Sequence, residues 1–263
     1  MFSKNLITKT LFATFSVMVA FTSCKKEDSV QTPSKPLQLT EFKSGDDIAR
    51  FSYNTDGSLK TLFLSNDPIS LDDDVTYTVS YLANKKINEF TGSNGTKIKL
   101  SYTNGLITKA EAFNGTIKYA ETVYEYNGTV LKSGTISIVD QNNTVPYFKS
   151  DLTFNAAGNA TRSNAFVFNP LTNQLEAAGY VLNQYDNKVN PFAALNDVIL
   201  VFWQETSKNN VVKQEYFSNT GAAEEVVETT YTYNAQGYPV TAVMRETAPG
   251  QQPSTATISF KYQ

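Results

Sequence analysis

Several stretches of the chain alternate between apolar and polar side chains with a period of two. The clearest runs are Tyr77, Val79 and Tyr81 between Thr76, Thr78 and Ser80; Ile98, Leu100 and Tyr102 between Lys97, Lys99 and Ser101; and Ile258, Phe260 and Tyr262 between Thr257, Ser259 and Lys261. Successive side chains of a strand point to opposite faces of a sheet. The pattern therefore predicts an antiparallel sheet with one buried face and one hydrated face.

A short phrase recurs along the chain, in which an aromatic residue ends a strand and a turn rich in Asn and Gly follows. Its aromatic residues are Tyr53, Tyr81, Tyr102, Tyr126, Phe154, Tyr185, Phe217 and Tyr233, and the chain closes on Tyr262. Asn and Gly suit such turns because hairpin loops often need a positive φ. The spacing of 21 to 32 residues from Tyr53 to Phe217, then 16 to Tyr233, predicts one hairpin per repeat.

Eight repeats predict 14 to 16 strands, more than the roughly ten that an open twisted sheet holds. We therefore expect an all-β antiparallel meander, curled into a half-barrel, a barrel or two layers, in a single domain over residues 39–263. One segment breaks the rhythm. Asn190 and Pro191 favour a helix start, so we predict a short helix near 191–197. The apolar run from Val198 to Trp203 suits either a helix or a buried strand.

Composition excludes several kinds of chemistry. The 263 residues contain no His and one Cys, so a Ser-His-Asp triad, a Cys-His pair, a disulfide within the chain and a thiolate zinc site are all excluded. Because acidic residues outnumber basic ones by 25 to 22, we expect no nucleic-acid partner. We find no glycine-rich phosphate loop and no serine-hydrolase motif. No cofactor and no metal are expected.

The first residues have the features of an export signal. Lys4 and Lys9 precede an apolar stretch from Leu11 to Phe21, which is too short for a spanning helix of about 20 residues. The stretch ends in Phe-Thr-Ser before Cys24, and this resembles a bacterial lipobox. The resemblance implies that residues 1–23 are removed and that Cys24 receives a lipid anchor. An ordinary secretory peptide with a chance cysteine is the alternative.

Charged residues follow the cysteine directly. Lys26, Glu27 and Asp28 resemble the export signal that sends Bacteroidota-type lipoproteins to the outer face of the outer membrane. Residues 24–38 then read as a flexible tether, with Pro33 and Pro36 and no periodicity. We expect a surface-exposed, lipid-anchored protein whose membrane contact is the lipid on Cys24. The alternative location is the periplasmic leaflet.

The repeats resemble the YD repeats of Rhs-type proteins. More closely, the chain resembles a family of Bacteroidota lipoproteins with a β-rich domain of unknown function. That resemblance rests on two blocks: one runs from Tyr185 to Phe192 and contains Asp186, Lys188, Asn190 and Pro191, and the other runs from Ser207 to Lys213 and contains Asn209 and Asn210. The segment after Tyr81 departs from the repeat because its turn lacks glycine. The resemblance to this family implies a fold and a cellular location, but it implies no catalytic activity.

The two blocks suggest an architectural role. Tyr185 can end a strand with its ring buried, and Asp186 can form side-chain bonds to the backbone of a turn. Phe192 can then tuck into the open end of the curled sheet. We interpret the block as a structural clip. The alternative is a catalytic site in which Asp186 and Lys188 transfer a proton.

Clustered carboxylates offer little further chemistry. Residues 72–74 are three successive aspartates without the spacing of a calcium loop. The neighbouring acids of the pairs Asp46–Asp47 and Glu224–Glu225 point to opposite faces of a strand, which does not make a glycosidase pair. Distant acids such as Asp151 and Glu176 could still converge, which keeps a histidine-free glycosidase as a minor hypothesis.

The sequence does not specify a molecular activity. We expect a non-catalytic binding or interaction protein with a glycan or protein partner. The alternative is a carrier that encloses a hydrophobic ligand inside the curled sheet. An open concave face would favour the carrier, and one filled by Tyr and Phe would favour the binding protein.

Overall fold

The protein is a closed antiparallel barrel of 16 strands in the computed structural model, which describes residues 36–67, 69, 74–140, 143–203 and 207–263. Each strand pairs with its neighbours in the sequence, and the last strand pairs with the first. The all-β antiparallel meander is thus confirmed. Of the three ways of curling, the chain uses the barrel.

The strands are short at the beginning of the chain and longer in the middle. In order they are β1 Leu39–Ser44, β2 Asp47–Tyr53, β3 Leu59–Leu64, β4 Val75–Tyr81, β5 Ile87–Gly92, β6 Thr96–Thr103, β7 Leu106–Asn114, β8 Ile117–Asn127, β9 Val130–Asp140, β10 Asn143–Phe154, β11 Ala160–Asn169, β12 Gln174–Tyr185, β13 Val211–Ser218, β14 Ala223–Tyr233, β15 Pro239–Thr247 and β16 Ser254–Tyr262. A short helix, α1, spans Asn196–Trp203 between β12 and β13.

The barrel closes between its first and last strands. Phe42 of β1 lies opposite Phe260 of β16, and their ring centroids are 5.6 Å apart. Just outside the strands, Gln38 and Gln263 exchange two backbone hydrogen bonds of 3.2 and 3.0 Å. These contacts leave neither β1 nor β16 with an unpaired long edge, and an unpaired edge would invite pairing with other chains.

The two ends of the barrel differ. The connections after even-numbered strands, together with Gln38 and Gln263, lie at one end, which we call the girdle end. The connections after odd-numbered strands lie at the other, which we call the distal rim. Every even-numbered strand ends at the girdle end in an aromatic residue or one position after it. These residues, the girdle, are Tyr53, Tyr81, Tyr102, Tyr126, Phe154, Tyr185, Tyr233 and Tyr262.

The walls follow the predicted alternation. In β4, Val75, Tyr77 and Val79 are buried, while the residues between them are more exposed. The same holds in β6 and in β16, where Ile258 and Phe260 are buried. Because residues directly opposite each other in a ladder share a face, these apolar side chains all point into the barrel.

Helix α1 fills part of the interior. The Phe202 ring contacts Tyr77 and Phe90 at centroid distances of 5.2 and 5.3 Å, and the Tyr124 hydroxyl donates to the Leu200 carbonyl at 3.1 Å. Tyr124 belongs to β8 and the other two rings to β4 and β5, so the helix contacts separate parts of the wall. A helix that is apolar nearly all round is a buried helix.

The predicted helix position needs a correction. We expected a helix near 191–197, whereas Ala193–Leu195 form a single 3-10 turn and the α-helix begins at Asn196. The Asn190 carboxamide accepts the Phe192 N–H at 2.6 Å, and Leu195 N–H bonds to the Phe192 carbonyl at 2.7 Å. These local bonds tighten the first turn. The ambiguous run from Val198 to Trp203 is helical, not a strand.

Candidate functional site

Most of the girdle tyrosines hold the ladder together through their hydroxyl groups. Tyr53, Tyr81 and Tyr126 donate to backbone carbonyls at 2.7, 2.7 and 2.9 Å, and each carbonyl belongs to the first or second residue of the preceding strand. Tyr262 donates to the Pro239 carbonyl at 2.6 Å in the same way. Burial raises the pKa of the Tyr126 hydroxyl to about 12, so this group remains a donor at neutral pH.

A β-bulge accompanies each girdle position. The pairing register shifts between Ser52 and Tyr53, and equivalent shifts occur at the ends of the other even-numbered strands. A bulge adds a residue to one strand and sharpens the local twist. Eight such bulges at one end therefore bend the meander consistently, which helps it to close.

The structure brings together the two sequence blocks of the β12–β13 connection. Asp186 N–H bonds to the Asn210 carbonyl at 3.1 Å, and the Asn210 side-chain amide donates to the Asp186 carboxylate at 3.0 Å. Asn190 donates to the Ser207 carbonyl, and Tyr185 donates to the Ala160 carbonyl. We use the name clip for the segments Tyr185–Phe192 and Ser207–Asn210. These bonds join the two ends of the connection that carries α1.

Phe192 and Pro191 are the apolar part of the clip, and both are buried. The Phe192 ring lies 5.6 Å from the Phe42 ring and 6.4 Å from the Phe51 ring, both in edge-to-face geometry. Phe42 and Phe51 point into the barrel from β1 and β2. The clip belongs to the β12–β13 connection, so the barrel closure between β16 and β1 lies between them. Phe192 therefore fills the interior near the girdle end.

The electrostatics of the clip centre on Asp186. Its carboxylate accepts the Tyr233 hydroxyl and the Lys188 N–H, the latter at 2.9 Å. Burial raises the pKa of this carboxyl, while the bonds from Tyr233, Lys188 and Asn210 pull it down only in part. Burial also raises the pKa of Tyr233, with the neighbouring Asp186 adding to the effect. The bond between the two side chains is half-buried, with Tyr233 the donor.

The remaining clip residues differ in burial. Lys188 is exposed, whereas Asn209 and Asn210 are almost fully buried. In the described part of the chain, the side-chain oxygens of Asn209 and Asn210 have no hydrogen-bond partner. The described hydrogen-bond partners of Asp186 include no serine, cysteine or second carboxylate. A proton-transfer role for Asp186 and Lys188 therefore gains no second catalytic group from the fold.

Several residues that hold the clip in place are not among those singled out from the sequence. Tyr233 reaches Asp186 from β14, and Asn159 accepts the Lys208 N–H at 3.1 Å from the β10–β11 turn. Asn183 donates to the Ala160 carbonyl at 2.8 Å. These residues lie 23 to 49 positions from their partners, so only their places in the repeat could have suggested them: Tyr233 ends a repeated phrase and Asn159 follows the turn of another.

The carboxylates named in the sequence do not form a catalytic pair. Asp151 lies on the outer wall, where its carboxylate is 2.9 Å from the Lys149 ammonium. Glu176 lies on the inner face near the distal rim, opposite Val167, and accepts hydrogen bonds from Thr172 and Asn169. Asp46 and Asp47 lie near the distal rim in the β1–β2 hairpin. Glu224 lies near the same rim in the β13–β14 hairpin. Positions 72 and 73 lie outside the described residues.

The described ranges contain neither a metal-binding cluster nor a membrane-spanning helix. No group of three or more carboxylate or thiol side chains in them has the geometry to hold a metal ion. No helix among them is both long and apolar enough to cross a membrane. Cys24 and the residues Lys26, Glu27 and Asp28 lie outside the described part, so the predicted anchor and export signal stay predictions.

The closed 16-stranded antiparallel barrel defines the structural class of this chain, and similar barrels have been solved. A porin-like protein from Bacteroides uniformis superposes with a TM-score of 0.58 at 14% identity, covering 86% of this chain and 95% of that one. A porin-like protein from Bacteroides vulgatus gives 0.57 at 13% identity, with coverage of 87% and 99%. At this identity the likeness concerns the fold. No family model and no curated protein matches the sequence.

Proposed function

We propose that this chain is a lipid-anchored outer-membrane protein whose barrel stands in water and acts as a non-catalytic binding or interaction module. The observation that carries the proposal is the polarity of the two barrel faces. The interior around α1 is apolar, and the outer wall carries charged side chains in the middle of its strands.

Ion pairs are concentrated on the outer wall. Lys118 lies 2.9 Å from Glu111 and 2.8 Å from Glu121, and these acids sit in mid-strand on β7 and β8. Further pairs join Lys213 to Glu215 at 2.8 Å and Lys261 to Glu41 at 2.7 Å. A barrel that spans a membrane has an outward apolar band about 25 Å tall, and a charge at its midplane costs about 2–4 kcal/mol. This wall is instead suited to water.

The interior favours a binding protein over a channel. A barrel of 16 strands usually encloses an aqueous channel. Here α1 and the rings of Tyr77, Phe90, Phe192 and Phe202 pack in the interior against β1, β2, β4 and β5. A carrier would need an empty lumen, so this packing also counts against the carrier alternative.

The path of the chain determines how an anchored barrel would stand. The chain enters the barrel at the girdle end, where Gln38 bonds to Gln263 and to the Gly57 carbonyl. Residues 25–38 would link that end to a lipid on Cys24, with a fully extended reach of about 50 Å. The girdle end would then be near the membrane and the distal rim would face away from it.

Charge supports the same orientation. Over the described residues, the girdle end, defined as its connections and the two adjoining residues of each strand, contains six lysines and three aspartates: Lys60, Lys85, Lys86, Lys188, Lys208 and Lys261 with Asp56, Asp186 and Asp197. The distal rim, defined in the same way over the described residues, has the opposite balance: Lys43, Lys97 and Lys118 with Asp46, Asp47, Asp67, Asp74, Asp140, Glu224 and Glu246. Anionic lipid headgroups would attract the first surface and repel the second.

The lipid anchor and the cell-surface location can be tested together in the native bacterium. Metabolic labelling with an alkyne fatty acid should mark the protein, and Cys24→Ala should abolish the label. Protease added to intact cells should degrade the labelled protein. Protection from protease, with the label retained, would move the protein to the periplasmic leaflet, and labelling that persists in Cys24→Ala would refute the anchor.

A further inference from the structure

One region of the outer wall is apolar where the rest is charged. Elsewhere, outward-facing Phe63 and Phe113 are single rings, covered by Arg50 at 5.0 Å and Lys99 at 5.1 Å. On three consecutive strands, by contrast, apolar side chains face outward together and are partly exposed. We call them the β11–β13 patch, and they are Phe166, Phe168, Leu175, Tyr180 and Phe217. Contiguous apolar surface of this kind marks interaction sites.

The patch is only partly shielded by cations. Lys149 lies over Phe166 at 5.7 Å and Arg162 over Tyr180 at 3.8 Å. No cation within the described ranges covers Phe168 or Phe217. The patch therefore offers a partner adjacent apolar side chains, and contact with them would remove apolar surface from water.

An unpaired strand edge lies beside the patch. β12 pairs with β13 only as far as Gly179, which lies opposite Ser218, the last residue of β13. Beyond that point, Gln174–Ala177 pair with β11 on one side, Ala178 is the unpaired bulge residue, and no described strand pairs with their other side. The backbone groups along this edge can therefore accept a further strand.

Gly179 lies where the pairing of β12 with β13 ends, and the two strands approach each other closely there. A Cβ atom at this position would lie 2.3 Å from the Phe217 carbonyl oxygen, and Gly179 has a φ of +155°. Only glycine permits this close approach of the two strands. The register also shifts between Ala165 and Phe166 on the β11 side, so the tip of the β11–β12 hairpin continues as a two-stranded ribbon beyond the end of β13.

We propose that the Gln174–Ala178 edge and the β11–β13 patch together bind an extended polypeptide segment of a protein partner. The segment continues the line of β13 and runs antiparallel to β12. This inference deepens the proposed binding function by naming the chemistry of the partner. Strand addition of this kind uses main-chain hydrogen bonds for affinity and alternate side chains for specificity.

The two faces of the site set the sequence of the segment. Side chains on the outer face would lie on Leu175 and Phe217, so apolar residues fit there. Side chains on the inner face would lie near Glu176, so lysine or arginine fits there. The partner segment is therefore one in which apolar and basic residues alternate.

The geometry disfavours two other occupants. A second copy pairing through the same edge would place Glu176 opposite or diagonal to its counterpart, and like charges in such positions are destabilising. A glycan would need an open ring face for stacking. Both faces of Tyr180 are covered, by Arg162 at 3.8 Å and by Phe217, which is stacked at 4.7 Å with an interplanar angle of 13°.

The test is fluorescence anisotropy with the full-length lipidated protein in detergent. The probe is a labelled ten-residue peptide of alternating valine and lysine. The comparison peptide has the same net charge, with proline in place of alternate valines, and cannot pair as a strand. We expect saturable binding of the first peptide and at least tenfold weaker binding of the second. Equal binding, or no saturable binding of either, would overturn the proposal.

Variants locate the site. Glu176→Lys and Phe217→Ser should each weaken the valine–lysine peptide at least tenfold, while Phe113→Ser, which removes an outward ring elsewhere, should leave binding unchanged. Circular dichroism checks that each variant is folded. Unchanged binding in Glu176→Lys and Phe217→Ser overturns the proposal, as does self-association that depends on Phe217. The lipid label on Cys24 is read separately, so a loss of peptide binding with an intact label refutes the site and not the anchor.

Discussion

The Tyr53 hydroxyl donates a hydrogen bond of 2.7 Å to the backbone carbonyl of Leu39, the first residue of the preceding strand. β1 and β2 are joined by a turn at the distal rim, so this bond closes the hairpin at its open end. Tyr81 makes the equivalent bond to Leu59. The recurring aromatic residue of the sequence thus has a repeated structural task, which is to clamp the open end of its own hairpin.

Removing one clamp tests this role. Tyr53→Phe keeps the ring but leaves the Leu39 carbonyl without its side-chain donor, and we expect it to lower the free energy of unfolding by about 1 kcal/mol. Denaturant unfolding monitored by circular dichroism measures the change. Tyr238→Phe is the matched control because the Tyr238 hydroxyl has no described hydrogen bond, and it should change stability by less than about 0.5 kcal/mol. Equal effects of the two variants would show that the clamp contributes nothing.

Much of the fold could be predicted from the sequence. The alternation in β4, β6 and β16 predicts which face is buried, and the spacing of the aromatic residues predicts one hairpin per repeat. Both follow from local backbone geometry, which the sequence expresses directly. Seven of the eight phrases quoted end an even-numbered strand at the girdle, but Phe217 does not: it lies near the end of β13, at the distal rim.

The rest depends on contacts between distant parts of the chain. Closure of the barrel depends on the pairing of β1 with β16, and no local pattern distinguishes this from a half-barrel. The start of α1 at Asn196 depends on Asn190, whose side chain bonds both to Phe192 N–H and to the Ser207 carbonyl. The β11–β13 patch could not be predicted either, because outward and inward aromatic residues look alike in sequence.

Phe192 tests the packing of the clip. It is buried against Phe42 and Phe51, so Phe192→Ala should lower the free energy of unfolding by about 3–5 kcal/mol through lost burial and a cavity. Chemical denaturation gives the value. Phe63→Ala removes an outward ring of the same size and should cost less than about 1.5 kcal/mol. A Phe192→Ala cost as small as that of Phe63→Ala would contradict the interpretation of the block as a structural clip.

Asp186 predicts a pH dependence. Burial raises the pKa of this carboxyl above its ordinary value of 3.8, so the folded state binds the proton more tightly than the unfolded state. The stability that Asp186 contributes is therefore fully present below pH 3.8 and is lost as the pH rises through the raised pKa. Asp186→Asn lacks this contribution.

The variant should be less stable than the wild type by about 1 kcal/mol at pH 7, because the Asn amide meets the donating amide of Asn210. Its deficit should widen as the pH falls towards 4. Parallel denaturation series at pH 4, 5.5 and 7 measure the difference, in which the other carboxyls cancel. A deficit that shrinks as the pH falls would show that folding lowers the pKa of Asp186 and does not raise it. Loss of a binding activity at unchanged stability would instead make Asp186 part of a functional site.

We propose that the barrel stands in water and that a lipid alone holds it to the membrane. The most direct measurement is fractionation of the whole chain carrying Cys24→Ala, with residues 1–23 exchanged for a signal peptide that is cleaved without lipidation. The account predicts a folded β-rich protein in the aqueous fraction, which gives no ion conductance when added to a planar bilayer. A protein that stays in the membrane after carbonate washing, or that forms conducting channels, would contradict it.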